Sequence, residues 1–111
     1  MPSLSELGAG ALAELSRVFQ RLPDDAADGL IEAIVGARRI AVYGCGREGL
    51  QMKGLAMRLF HLGRDVHMVG DMTTPPVGPG DLLLVSAGPG AVATVETLMR
   101  VAREAGARTA L

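Results

Sequence analysis

Aromatic side chains are nearly missing from this sequence: there is no tryptophan, and Phe19, Tyr43 and Phe60 make up the whole Phe and Tyr complement. A surface that stacks bases needs several such rings, and one that grips a polyanion needs a basic surplus. With 11 basic residues against 12 acidic ones, neither is present, and no nucleic acid is expected as a partner. Cys45 stands alone, which excludes an internal disulfide, and no Cys/His cluster offers a zinc site, so no metal is expected. No run approaches the roughly 20 apolar residues of a membrane span. The first residues, interrupted by Glu6, Glu14 and Arg17, lack the cationic start and apolar core of a signal peptide. No membrane partner is expected, and the chain reads as cytoplasmic.

Aliphatic residues are abundant. Hydrophobic types make up 49% of the 111 residues, enough for the core of one α/β domain. Leu4, Leu7, Ala11, Leu15, Val18 and Leu22 recur at steps of three and four, which predicts an amphipathic helix over the first 22 residues, capped by Ser3 or Ser5 and closed by Pro23. Asp24 and Asp25 then offer an N-cap and dipole-matched acids for a second helix through about Gly36, with Ala27, Leu30, Ile31, Ile34 and Val35 as its buried face. Residues 1–36 are read as a helical arm and 37–111 as an α/β domain.

The period then changes. Arg39 to Tyr43 and Asp81 to Ser86 are short apolar runs of the kind covered on both faces of a parallel sheet, and Asp65 to Val69 is a further strand. Helices are predicted from Glu48 to Leu62 and from Val92 to Ala105, each stopped by a glycine. Gly70 to Gly80 holds three prolines and reads as loop, and Ala107 to Leu111 as a fourth strand. Alternating strands and helices imply right-handed crossovers and a three-layer parallel sheet. Such sheets take ligands at the carboxyl ends of their strands.

Two glycine-rich turns lie at those ends, Gly44-Cys45-Gly46-Arg47-Glu48-Gly49 and Ala87-Gly88-Pro89-Gly90-Ala91. If their strands are neighbours, both turns face one crevice. The first suits an anion such as phosphate, because glycines permit close approach and helix-start amides point outward. It also matches the G-x-G-x-x-G dinucleotide fingerprint, with Asp71 as the acid for the ribose.

Gly44-Cys45-Gly46-Arg47-Glu48-Gly49-Leu50, Lys53, Ala56 to Leu59 and His61-Leu62-Gly63 resemble the first turn and helix of the sugar isomerase (SIS) domain family, and within it the 6-phospho-3-hexuloisomerases. The resemblance continues through Val69-Gly70-Asp71, Thr73-Thr74-Pro75, Asp81 to Leu83, the turn at Gly88 and Gly90, and Ala102 to Ala107. It implies an SIS-like, flavodoxin-type sheet preceded by two N-terminal helices, no cofactor, and a phosphosugar held at the two turns while a carboxylate moves a proton through an enediol. The candidate ligand-binding residues are Gly44, Gly46, Arg47, Gly49, Thr73, Thr74, Gly88 and Gly90, together with Ser86, a hydroxyl one place before the family's phosphate positions, and Glu48 is the catalytic candidate.

The chain departs from that pattern at both turns. Glu48 stands where the hexuloisomerases usually carry serine, and an ionised carboxylate neither donates a hydrogen bond nor tolerates a dianion nearby. The usual Ser-Gly-Ser-Gly-Glu-Thr of the second turn is here Ala87 to Val92, without its hydroxyls and carboxylate, and Pro89 removes an amide. Family members continue beyond the strand at Ala107, so the domain is expected to be truncated or to complete its sheet with another chain. A homo-oligomer, dimer or tetramer, follows from that bare edge. Two functions stay open: an isomerase with Glu48 as base, and a non-catalytic module that senses a sugar derivative or assembles with partners. Cys45, His61 and His67 are read as structural; Arg47 either neutralises Glu48 or binds the anion.

Overall fold

The computed structural model describes residues 1–88, 90 and 92–111. It opens at Ser3, whose hydroxyl accepts the Glu6 amide at 3.2 Å while the Glu6 carboxylate accepts the Ser3 amide at 2.7 Å. This reciprocal capping box satisfies two orphan donors and starts α1 (Leu4–Arg21). The other elements are α2 (Asp28–Gly36), β1 (Ile40–Gly44), α3 (Arg47–His61), β2 (Val66–Met68), β3 (Leu82–Ser86), α4 (Ala93–Glu104) and β4 (Arg108–Ala110).

The strands form one parallel sheet in the order β2-β1-β3-β4. Winding runs outward from β1 in one direction to β2 and in the other to β3, so the topological switch lies between β1 and β3. Their register pairs Tyr43 with Val85 and Gly44 with Ser86, which brings the two glycine-rich turns side by side. Three layers result. Ile40, Val42, Leu82 and Leu84 face Ala33 of α2 and Met52 and Leu59 of α3, while Ala41, Leu83 and Val85 face Val95 and Ala102 of α4. Burial on both faces explains why β1 and β3 read as unbroken apolar runs instead of alternating ones.

The N-terminal expectations need correction. The N-cap of α2 is Ala27, which makes no side-chain cap, and Asp24 and Asp25 lie in a turn closed by bonds from Ala26 to Pro23 and from Asp28 to Asp25. Pro23 supplies a carbonyl there but no donor, so the chain bends once before helix geometry starts. Of the face expected to be buried on α2, Leu30, Ile31 and Val35 are exposed, Ala27 also, and Ile34 only packs at the core margin. Ala33 is the buried residue, since a small side chain lets α2 approach the sheet. No residue of α1 is buried, and Leu4, Leu15, Val18 and Leu22 of its apolar stripe face outward. Periodicity located that stripe; it does not say what covers it.

Asp81 is 1% exposed at the entry to β3. Both carboxylate oxygens accept from Arg38 at 3.1 Å, and Oδ2 also accepts the Gly78 amide at 2.9 Å. The bidentate guanidinium, with that amide, holds its carboxyl below the usual range.

Candidate ligand-binding crevice

At the mouth of β1 the chain turns through Cys45 and Gly46 into α3. Gly46 is the N-cap, at φ 57° and ψ −127°, a conformation that disfavours any residue with a Cβ. Gly44 and Gly49 are constrained differently: a Cβ on Gly44 would lie 2.8 Å from the Glu48 backbone, and one on Gly49 would lie 2.5 Å from the Gly44 carbonyl oxygen. These two glycines let the start of α3 press against the end of β1. The turn also uses some of its own donors, the Glu48 amide on the Cys45 carbonyl at 3.2 Å and the Gly49 amide on the Gly46 carbonyl at 3.1 Å. The tight strand-to-helix junction expected from the glycine spacing is thus formed, with fewer outward amides than the spacing suggests.

Across the switch, β3 ends at Ser86. Its hydroxyl donates to Glu48 Oε1 at 3.1 Å, and the Gly88 amide donates to the same oxygen. The second turn is closed by a bond from the Gly90 amide to the Ala87 carbonyl. Pro89 and Ala91, the positions of the expected loss of an amide and a carboxylate, lie outside the described residues. Glu48 therefore joins the two turns by its own side chain.

A cavity of about 360 Å³ beside this junction is lined by Cys45, Arg47, Glu48 and Val92. Arg47 is exposed and makes no ion pair among the described residues, so it faces the cavity without neutralising Glu48. A second cleft, of about 330 Å³, lies toward β2 and is lined by Tyr43, Gly44, Gly46, Gly49, Lys53 and Asp71, among others. The Tyr43 hydroxyl lies 3.3 Å from Cys45 Sγ, and that contact, with desolvation, raises the phenol above its ordinary range.

Not all the candidates converge. Gly44, Gly46, Arg47, Glu48, Gly49, Ser86 and Gly88 gather around the switch. Thr74 instead donates its hydroxyl to the Met68 carbonyl at 2.6 Å and pins the proline-rich loop to the end of β2, while Thr73 is exposed. Neither lines the two cavities beside the first turn. His67 meets Asp65 at 2.6 Å, and this contact, with Arg39, holds the Asp65 carboxyl low. Lys53 lines the β2-side cleft without being a site candidate by motif; its position one helical turn beyond Gly49 on α3 is the sequence signal for it. Among the described residues no group of three or more His, Cys, Asp and Glu side chains is placed to hold a metal ion, and no helix is long and apolar enough to cross a membrane.

No family model matches the chain. Individual proteins do. A 3-hexulose-6-phosphate isomerase of Mycobacterium gastri is 47% identical over 81 residues, which is 73% of this chain and 41% of the relative. One of Bacillus subtilis is 38% identical over 86 residues, 78% of this chain and 46% of the relative. A crystal structure from Methanococcus jannaschii, from which the molecular function of a 3-hexulose-6-phosphate isomerase was inferred, superposes with a TM-score of 0.78 at 32% identity over 96% of this chain and 62% of that one. The matches thus span less than half of these two curated relatives. In sequence and in fold, the chain is a relative of the 3-hexulose-6-phosphate isomerases, of the sugar isomerase (SIS) type.

Proposed function

We propose that this chain is a ligand-binding unit of the phosphosugar-isomerase type, a cytoplasmic protein that receives a sugar derivative in the crevice between its two glycine-rich turns and does not itself turn over a hexulose phosphate. The observation that carries this reading is the engagement of Glu48. A proton-moving carboxylate must present a lone pair to the carbon-bound proton of the sugar. Here Oε1 already accepts from Ser86 and Gly88, which holds the carboxylate against the second turn and leaves only Oε2 for that task. The hydroxyls that the resemblance implies for phosphate are absent from the same turns, while a cavity of about 360 Å³ beside them supports the reception of a ligand. Isomerisation with Glu48 as base is the alternative, and its support is that Glu48 lines the cavity together with Arg47.

Assembly with a second copy belongs to the same proposal, because the apolar stripe of α1 covers nothing within its own chain. Amide-resolved NMR tests the ligand reading. Titration with hexoses, hexuloses, hexosamines and their 6-phosphates is expected to move the amides of Gly44 to Gly49 and Ser86 to Gly88 for at least one sugar. Shifts confined to other regions, or none across the panel, overturn it. Measurable conversion of 3-hexulose 6-phosphate that disappears in Glu48→Gln establishes the alternative.

A further inference from the structure

A phosphate seat at a strand-to-helix crevice is a place where N–H and O–H donors converge on one anion. Such convergence is present here, but its acceptor belongs to the chain. The Ser86 hydroxyl and the Gly88 amide meet at one oxygen of Glu48, which lies some 40 residues earlier and on the opposite side of the switch. The surroundings fit that acceptor. A Cβ on Gly88 would lie 2.7 Å from Glu48 Oε1, so the carboxylate fits against this position because it is glycine. Ser86 is in register with Gly44, which sets its hydroxyl opposite the start of the helix that carries Glu48.

We infer that Glu48 is an internal anion occupying the seat between the two turns, and that it thereby makes the crevice reject phosphate monoesters and accept uncharged, hydroxyl-rich sugar groups. This deepens the proposed function and rests on its placing of the ligand between the turns. Two effects act in the same direction. Two donors a phosphate would use, the Ser86 hydroxyl and the Gly88 amide, are already taken, and displacing the carboxylate leaves a negative charge a few ångströms from a dianion. Arg47 lines the same cavity without pairing to Glu48, so a phosphate drawn to its cation also meets the neighbouring carboxylate. With Glu48 removed, the Ser86 hydroxyl and the Gly88 amide become available to an incoming anion beside Arg47.

The test has two arms, and the first needs no ligand. In the wild-type chain, NMR is expected to show a scalar coupling through the hydrogen bond between the Gly88 amide nitrogen and the Glu48 carboxyl carbon, with a downfield Gly88 amide proton that moves upfield in Glu48→Ser. In the second arm, inorganic phosphate and fructose 6-phosphate are titrated near neutral pH into wild type, Glu48→Ser and the near-isosteric Glu48→Gln. Removal of one like charge at this range is expected to raise affinity for both probes at least about tenfold in Glu48→Ser, with a smaller gain in Glu48→Gln. Wild-type binding of phosphate as tight as that of Glu48→Ser overturns the inference, as does a Gly88 amide indifferent to Glu48. If the Gly88 signature and the phosphate gain are both seen while no sugar binds wild type, the inference stands for phosphate and the ligand reading alone fails.

Discussion

The Glu48 carboxylate accepts the Ser86 hydroxyl at 3.1 Å, linking the first turn of α3 to the last residue of β3 across the point where the sheet changes its direction of winding. Polar clamps of this kind set the spacing of two loops as well as their charge. Replacing Ser86 by alanine removes one donor and is expected to lower stability by about 1 kcal/mol, the net value of one such bond. Gly88→Ala acts from the other side. Its methyl group would meet the far end of a flexible side chain rather than backbone, so Glu48 swings away and the fold survives with a similarly small loss. Thermal melts report the stability, and the Glu48 carboxyl resonance reports the displacement. A melting temperature lowered by Gly88→Ala as strongly as by a core cavity would show that position 88 is constrained by backbone.

The glycines of the first turn are expected to separate sharply under alanine substitution. At Gly44 and Gly49 the added carbon collides with backbone atoms 2.5 to 2.9 Å away, which can be relieved only by moving α3 off β1. Gly54 sits in the interior of the same helix with nothing within 4 Å of its added carbon. Gly54→Ala is expected to stabilise by about 0.5–1 kcal/mol, the ordinary gain for an exposed helix position. Gly44→Ala and Gly49→Ala lose stability. Equal effects at the three sites in urea unfolding would contradict the packing described for this junction.

The strands, the two long helices of the α/β domain and the ends of β1 and β3 were legible in the sequence, because apolar runs and 3.6-residue stripes are local patterns. Strand order was not legible, since it depends on which edges pair, and no residue in β1 states that β3 lies beside it. The site divided in the same way. Gly44, Gly46 and Gly49 announced a tight turn through their spacing, whereas the capture of Glu48 by Ser86 and Gly88 needs two segments brought together by the fold. Thr73 and Thr74 carried the right chemistry for a sugar, but Thr74 spends its hydroxyl on the Met68 carbonyl, a backbone group whose nearness no composition argument reveals. The burial of Asp81 had a faint signal, an acid opening an apolar strand and a pair of arginines opening another.

Asp81 gives a pH dependence with a definite sign. Its folded carboxyl titrates below the usual aspartate range because Arg38 and the Gly78 amide favour the ionised form. The folded value is therefore lower than the unfolded one. The corresponding stability is fully present above the unfolded value, near 3.9, and is lost as pH falls from there through the folded value. Asp65, held low by His67 and Arg39, adds in the same direction. Asp81→Asn is expected to cost on the order of 2 kcal/mol near neutral pH and to flatten the acid limb of the stability curve. Urea midpoints measured from about pH 6 down to about pH 2.5 check this. An unchanged acid limb in Asp81→Asn would assign the acid sensitivity to other groups.

The exposed stripe of α1 leads to the last expectation. Leu4, Leu7, Ala11, Leu15, Val18 and Leu22 recur at steps of three and four along one face, and Leu15 and Val18 are 55% and 56% exposed. Charge along the helix selects the partner's direction: Glu6 lies in the first turn, Glu14 just past the middle, and Arg17 and Arg21 toward the end. Two copies packed antiparallel set Glu6 of each against the Arg17 and Arg21 end of the other in a closed twofold arrangement, while a parallel pair would set like against like. The chain is thus expected to sediment as a dimer or a larger even assembly, with affinity strengthened slightly at low salt. Burying one leucine or valine is worth about 1.5–3 kcal/mol, so Leu15→Glu with Val18→Glu is expected to weaken dimerisation at least about a hundredfold. Because no residue of α1 is buried within its own chain, the double variant should keep the wild-type fold by circular dichroism and dissociate to monomers at micromolar concentration. A wild type that stays monomeric at high concentration, or a double variant that stays dimeric, would rule out this helix as the contact between copies.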